Sequence, residues 1–570
     1  MRKSTMIFAA AAVTAFAALA DGQAEFADSR VRSIVPPKKV VATSQGLGEA
    51  ERLCGARFGQ VSEGAFLAGS GPVLKSGEWL LLDFGRELHG SVQIGSGARS
   101  GRGVKVRVRF GESVAEAMSE LGERGACNDH AIRDGVIDLP WFGRREIGES
   151  GFRFVRIDNV GRDAAQIEYV RAVSLMRPMK RLGAFRSSDE RLNAVFETAA
   201  RTVHLCCQDY IWDGIKRDRL VWMGDTHPET MSVLALFGDA DVLPKSLDYM
   251  AATTPPSKWM NGMPTYTLWW IRNVAEWYRY TGDVAYLKKH TAYLSATFDH
   301  VCSGMRNGEW RAGNFLDWPT NHNGPGATAG TQALALMCAR ETAFLADALG
   351  DAALGGKARA LAAELEKLRP DPHGAKSAAA LLALSGLRDA KEMFATTLGR
   401  NGHAGVSTFY GYYMIEAMSA AGEQQRALDT VRDYWGGMLD MGATSFWEDF
   451  NLAWTNNAFR IDSLAVPGKK DIHGDYGEFC YKGFRHSLCH GWSSGPAAWC
   501  IAHVLGVRPT GVGCKSFEVK PQLGDLKWAE GAYALPGGRS LKVRAERAPD
   551  GTVRTTVDAP PGVIVNRSTH

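Results

Sequence analysis

Between Trp212 and Glu229 the chain reads WDGIKRDRLVWMGDTHPE, which sets Asp213, Asp218, Asp225 and Glu229 among Lys216, Arg217, Arg219 and Trp222. Charge this dense beside aromatic rings is poorly suited to a core. It suits a sugar cleft, where carboxyl groups move protons and an indole stacks on the ring. A solvated loop with surface ion pairs is the plain alternative. A second acidic–aromatic cluster shifts the balance. The segment 442–454, GATSFWEDFNLAW, places Glu448 and Asp449 between Trp447 and Trp454.

Glycoside hydrolysis needs two carboxyl groups with different duties. One stays protonated and gives its proton to the leaving oxygen; the other is ionised and activates water or attacks carbon. Apolar surroundings raise a carboxyl pKa, and nearby cations lower it. Arg217 and Arg219 flank Asp218, whereas Phe446 and Trp447 flank Glu448, so the two clusters offer both settings. Other polar–aromatic loops are candidates for the same cleft. Asp317 beside Trp318, in FLDWP, reads as a hydroxyl acceptor next to a stacking surface, with a capped turn as its equal alternative. Trp222 and Trp447 read as stacking rings, and at least one of Trp269 and Trp270 as core. His490, in SLCHGW, reads as a sugar ligand or a structural histidine, and Tyr410, Tyr412 and Tyr413 would serve a lyase.

These residues need a scaffold. At 570 residues the chain predicts two to four domains. Hydrophobic content of 45% and charged content of 22% are those of a globular protein, and a net charge of only +4 gives no reason to expect nucleic acid or an anionic membrane as partner. From Asp28 to Leu182 the pattern is β. Segments 79–84, 91–94, 104–110, 152–157 and 167–170 read as strands, several of them alternating apolar and polar residues between Gly-rich turns, which predicts a jelly-roll-like β-sandwich over 28–182.

Near Ser187 the period changes. Ser187 and Glu190 have capping-box spacing, and Leu192, Val195, Phe196, Ala199, Val203 and Cys206 follow a helical stripe. Helical patterns recur at 267–280, 286–301, 330–349, 378–387, 407–421 and 496–505. Over 187–507 this rhythm suits a barrel of helical hairpins at roughly 50 residues each, with the loops at one end converging on a cleft. Alternation returns at 516–521, 540–545 and 552–557, predicting a C-terminal β-sandwich over 513–567.

The N-terminus reads as an export signal: basic Arg2 and Lys3, the apolar run 6–20, and Ala18-Leu19-Ala20 as a cleavage site before Asp21. The mature chain is expected to be periplasmic or secreted, with no membrane insertion. The 10 Cys show no framework spacing and read mostly as buried thiols. No phosphate loop and no H-E-x-x-H occurs, and Gly491-Trp-Ser-Ser-Gly495 lacks the strand that a nucleophile elbow requires. Two-carboxylate chemistry calls for no cofactor and no metal.

The segment DGIKRDRLVWMGD resembles the signature of the bacterial α-L-rhamnosidases (glycoside hydrolase family seventy-eight). GATSFWEDF resembles their second acidic motif. Ser487–Ser493 followed by LGVRP resembles the closing barrel helix and its exit. The resemblance covers nearly the whole chain after the leader. It implies an (α/α)6 six-hairpin barrel flanked by N-terminal and C-terminal β-sandwiches, and an inverting hydrolase acting on an oligosaccharide or polysaccharide. Carried over, Asp218 falls at the general-acid position and Glu448 at the general-base position, with Asp213 and Asp225 on acidic positions that bind the sugar or tune the acid. Arg217 and Arg219 would hold the acids or meet substrate. The family usually has Glu where Asp218 stands. A side chain one methylene shorter leaves open a different deoxy-sugar, a shifted acid (Asp213 or Asp225) or an inactive relative. An enzyme acting on uronides and a catalytically silent carbohydrate-binding protein are the remaining alternatives.

Overall fold

A computed structural model describes residues 28–55, 71–479 and 481–567. The predicted leader, 1–20, lies outside these residues, as does Cys480. The other nine cysteines are free thiols.

Twelve helices form the centre of the molecule: α1 (Glu190–Cys206), α2 (Thr226–Phe237), α3 (Val242–Thr253), α4 (Pro264–Thr281), α5 (Val284–Cys302), α6 (Gly324–Leu349), α7 (Ala352–Leu365), α8 (Lys376–Ser385), α9 (Ala390–Met393), α10 (Gly411–Ala420), α11 (Gln424–Thr430) and α12 (Gly495–Trp499). Turns of π-helix prolong α9, α11 and α12. The even-numbered helices touch in the cyclic order α2, α4, α6, α8, α10, α12 and back to α2, and the odd-numbered ones pack outside them. The result is a closed six-hairpin barrel. An inner helix meets protein on all sides, so it cannot be amphipathic: 11 of the 12 residues of α2 are buried. That explains why α2 carries no stripe in the sequence.

Local signals set the helix ends. Asp189, rather than Ser187, caps α1, its carboxylate accepting the N–H groups of Arg191 and Leu192. Ser187 instead ends a strand, and its own N–H donates to Asn193 Oδ1 at 2.7 Å. Three helices end on left-handed glycines, Gly282 after α4, Gly350 after α6 and Gly386 after α8.

The N-terminal region is an antiparallel assembly running Val31–Val35, Ala165–Met176, Trp79–Ser96, Arg144–Asn159, Val104–Gly111, Asp134–Leu139. The segments 79–84 and 91–94 are one 18-residue strand, not two. Its register against Arg144–Asn159 shifts between Asp83 and Leu88, the irregularity that reads in sequence as a turn. At the other end, a three-stranded and a four-stranded sheet make the C-terminal region. The fourth strand of the larger sheet is Ala184–Ser187, which precedes the barrel and pairs antiparallel with Ala529–Ala532. Val507–Pro509 joins the smaller sheet. The C-terminal sheets therefore use residues on both sides of the barrel, outside the predicted 513–567.

The N-terminal sandwich sits against the loop that joins α11 to α12. Glu87 N–H donates to Thr444 Oγ1 at 2.8 Å, Arg153 to the Gly442 carbonyl at 2.9 Å, and Val114 N–H to the Ile461 carbonyl at 2.8 Å.

Candidate active site

Long loops enter each inner helix at one end of the barrel. The first, 207–225, connects α1 to α2. Asp213 closes its tip: its N–H donates to the Leu220 carbonyl at 3.0 Å, and its Oδ1 accepts the Leu220 N–H at 2.9 Å. Inside that closure Asp218 and Arg219 both take positive φ, 51° and 58°. Left-handed backbone is costly for side chains bearing a Cβ, so the turn needs partners from outside itself. Glu448 comes from the loop between α11 and α12. Its N–H donates to the Ser487 carbonyl at 3.0 Å, its Oε2 accepts the Ser487 N–H at 3.1 Å, and Trp492 Nε1 donates to its carbonyl at 3.0 Å.

Arg217 joins the two clusters. Nη1 donates to Asp218 Oδ1 at 2.7 Å, Nη2 donates to Glu448 Oε1, and the guanidinium lies 3.6 Å above the Tyr481 ring. Two hydrogen bonds of about 2.8 Å at the two ends of one guanidinium limit the nearest Asp218 and Glu448 oxygens to roughly 7 Å or less. Burial alone would push the Glu448 carboxyl up. Arg217, helped by His490, outweighs burial and holds it down to about 2. Glu448 is therefore ionised at any ordinary pH.

This reverses the local sequence expectation, in which cations flank Asp218 and aromatic residues flank Glu448. Phe446 and Trp447 turn into the core, and Arg217 reaches across the cleft. Neighbours in space, not in sequence, set the electrostatics.

Three more carboxyls lie beside this pair. Burial pushes Asp213 well above the usual range. Burial also raises Asp225, although His490 Nε2 at 3.2 Å and Tyr266 Oη–H at 2.9 Å oppose it. His490 is itself raised: burial disfavours its charge, but Asp225, Glu448 and Asp213 win. Glu229 is fully buried beneath Gly491 and its carboxyl is pushed well up by burial.

Above these groups opens a cavity of about 310 Å³, at the small end of the range for ligand sites. Asp213, Arg217, Asp218, Asp225, Glu448 and His490 supply its polar lining, and Trp222, Met263, Tyr266, Trp318, Tyr481 and Trp492 its apolar walls. Eight of the ten site residues expected from sequence thus converge.

Two do not. Trp447 is wholly buried, edge-on to Phe450, and presents no face to the cavity. Asp317 is buried as the cap of the single turn Trp318–Asn321, accepting Thr320 N–H and the hydroxyls of Ser377 and Ser407. A capped turn was its alternative reading. Trp269 and Trp270 are both core, as are Tyr410, Tyr412 and Tyr413. Asp449 accepts the Glu478 and Phe479 N–H groups away from the cavity. Sequence reasoning missed Met263, Tyr266, Tyr481 and Trp492. Only Trp492, inside SLCHGW, carried a signal; Met263 and Tyr266 stand at the start of α4 and Tyr481 on a distant loop.

Among the described residues one trio has metal-ligand spacing, Glu112, Glu116 and His473, with ligand atoms within 4.8 Å of one another. The Lys216 ammonium already sits there, 2.9 Å from Glu112 and 3.3 Å from Glu116, and donates to the Phe484 and His486 carbonyls. Burial opposes its charge, but the two carboxylates raise its pKa on balance. The lysine takes the place a cation would fill and ties the sandwich to the loop bearing Arg217.

Residues 180–372 match the family model of the bacterial alpha-L-rhamnosidase 6 hairpin glycosidase domain, and residues 506–566 that of the bacterial alpha-L-rhamnosidase C-terminal domain. Two stretches of the chain are therefore similar to domains of the bacterial α-L-rhamnosidases. Solved rhamnosidase structures share the fold. The family seventy-eight rhamnosidase of Bacillus sp. GL1 aligns at a TM-score of 0.70 and 23% identity, over 86% of this chain and 53% of that one. A rhamnosidase from Klebsiella oxytoca with rhamnose bound aligns at 0.65 and 20%, over 83% and 96%. The Streptomyces avermitilis α-L-rhamnosidase complexed with L-rhamnose aligns at 0.70 and 16%, over 94% and 50%. This chain thus spans about half the length of the Bacillus and Streptomyces rhamnosidases and matches nearly all of the Klebsiella one. A search of curated protein sequences finds no match.

Proposed function

We propose that this protein is an inverting glycoside hydrolase that releases terminal α-L-rhamnosyl, or closely related deoxy-sugar, residues from an oligosaccharide or polysaccharide. The observation that carries the reading is the Arg217 bridge, which holds Asp218 and Glu448 on one guanidinium at the mouth of the rhamnosidase-type barrel. Ionised Glu448 takes a proton from water as the water attacks the anomeric carbon. Asp218 gives a proton to the leaving oxygen. An inverting pair stands ~6.5–9.5 Å apart to admit that water. The buried carboxyls Asp213 and Asp225, with His490, receive the sugar hydroxyls. Trp222, Trp318, Tyr481 and Met263 offer the apolar walls that a ring bearing a methyl group would fill. Tyr410, Tyr412 and Tyr413 are buried in the core and supply no group to the cavity. Export through the segment 1–20 belongs to the same proposal.

The test is hydrolysis of 4-nitrophenyl α-L-rhamnoside, with Glu448→Gln as control and proton NMR of the first-formed sugar anomer. Release with β-rhamnose appearing first, lost by ~10²–10⁴-fold in the variant, is expected for a base required in the transition state. Equal rates in both proteins would overturn the assignment of Glu448. α-Rhamnose appearing first would overturn inversion.

A further inference from the structure

The acid in this site is an aspartate one methylene short of the family's glutamate, on a turn whose backbone is left-handed at two successive residues. Among the described residues, only one side chain outside the barrel meets that turn at both its backbone and its carboxyl. It is His130, from the loop of the N-terminal sandwich that precedes strand Asp134–Leu139. Its Nδ1 lies 2.6 Å from the Asp218 amide nitrogen and 3.0 Å from Asp218 Oδ1.

The loop that brings it is firmly built. Asn128 Oδ1 accepts the Arg133 and Asp134 N–H groups, Arg133 donates to the Ser119 carbonyl at 2.8 Å, and Arg485 pairs with Asp129.

One nitrogen facing both a donor and an acceptor has two states. As a neutral ring, Nδ1 accepts the Asp218 N–H and steadies the strained turn. As imidazolium, Nδ1 donates to the carboxylate, and the pair then holds the one proton that the reaction needs. The charged groups around the ring are Asp218, with Arg217 on its other side, and Asp129, 3.9 Å from Nε2 and paired in turn with Arg485.

We propose that His130 is a positioning residue for Asp218, fixing where the short carboxyl stands and loading it with the proton it delivers. The inference rests on the hydrolytic reading above. The proton passes from His130 Nδ1 to the Asp218 carboxylate and from there to the glycosidic oxygen. That oxygen keeps the electron pair of the breaking C–O bond. Water supplies hydroxyl to the anomeric carbon and its second proton to Glu448. Solvent reprotonates the exposed imidazole and takes the proton from Glu448, so the cycle balances.

Leaving groups separate this role from a merely structural one. 4-Nitrophenolate departs with little protonation, whereas a sugar alcohol needs the acid. In His130→Ala, turnover of a rhamnosyl disaccharide is expected to fall about 10–100-fold with little change in KM, and 4-nitrophenyl rhamnoside turnover to stay within about threefold. His130→Asn keeps a polar atom near the Nδ1 position and cannot become cationic. It should recover part of the disaccharide rate, with the alkaline limb of its pH profile moved to lower pH. The double variant with Asp218→Asn should be no slower than Asp218→Asn alone. Equal losses on both substrates, or additive losses in the double variant, would overturn the inference while leaving the hydrolytic reading in place. A wild-type protein that cleaves neither substrate would overturn both.

Discussion

Removing Arg217 should change the pH dependence of stability in a calculable way. Glu448 is held from the usual 4.5 down to about 2 by the guanidinium acting against burial. At 1.36 kcal/mol per pH unit this is about 3 kcal/mol in favour of the ionised, folded form. A depressed folded-state pKa contributes stability that is fully present above the unfolded value near 4.5 and is lost as pH falls through about 2. In Arg217→Met the carboxyl stays buried and keeps the Ser487 N–H, but its counter-charge is gone. Burial then lifts it above 4.5, and the group destabilises the fold at neutral pH instead. The variant should unfold about 3–5 kcal/mol more easily than wild type at pH 7, the usual cost of breaking a buried ion pair. That gap should narrow steadily toward pH 2. Guanidinium melts at a series of pH values would measure it, and the acid limb of kcat/KM should rise by at least two pH units in parallel. In a Glu448→Gln background the pH-dependent part of the Arg217→Met effect should largely vanish. A stability gap that stays constant between pH 7 and pH 2 would refute the reasoning, because the ion pair would then not be what Arg217 supplies.

Three further outcomes follow from the same geometry. Lys216→Met leaves Glu112 and Glu116 buried side by side without a cation, so thermal melts should show a loss greater at pH 8 than at pH 5, where the carboxyls can protonate. Asp317→Ala should cost about 2–4 kcal/mol in chemical denaturation, by orphaning two buried hydroxyls and the Thr320 N–H, while leaving KM unchanged. Trp222→Ala removes an apolar wall that substrate and transition state share, so KM should rise several-fold with kcat little altered.

Much of this site was legible in the sequence because it is concentrated. Asp213, Arg217, Asp218, Trp222 and Asp225 fall within thirteen residues, and a loop that short cannot scatter them. Glu448 and His490 were legible for a similar reason, each inside a motif. What escaped was of two kinds. Tyr481 and His130 are lone residues delivered by separate loops and Tyr266 stands in the first turn of α4, and no periodicity marks a residue whose only distinction is where its element brings it. Trp447 and Phe446 failed the other way: aromatic residues beside an acid look the same in sequence whether they line a cleft or fill a core. Helix α2 was hidden because an inner helix of this barrel lacks the solvent face that creates a stripe. The strand Ala184–Ser187 is four residues long and finds its partner about 340 positions away, too far for any local pattern to announce.

That distant pairing bears on how the chain is made. Ala184–Ser187 leads directly into the first barrel helix, yet its ladder partner Ala529–Ala532 is synthesised about 340 residues later. At about 5–20 residues per second the gap lasts roughly 20–70 s. Through that interval α1 also lacks α12, the inner helix it packs against. The N-terminal sandwich can mature early, whereas the barrel ring cannot close until α12 arrives. A ribosome stalled shortly before Trp528 would hold an open crescent of helices with a strand's backbone bare at its leading edge. The C-terminal sheet is therefore a clasp laid across the barrel, joining the strand that enters its first helix to one made after its last.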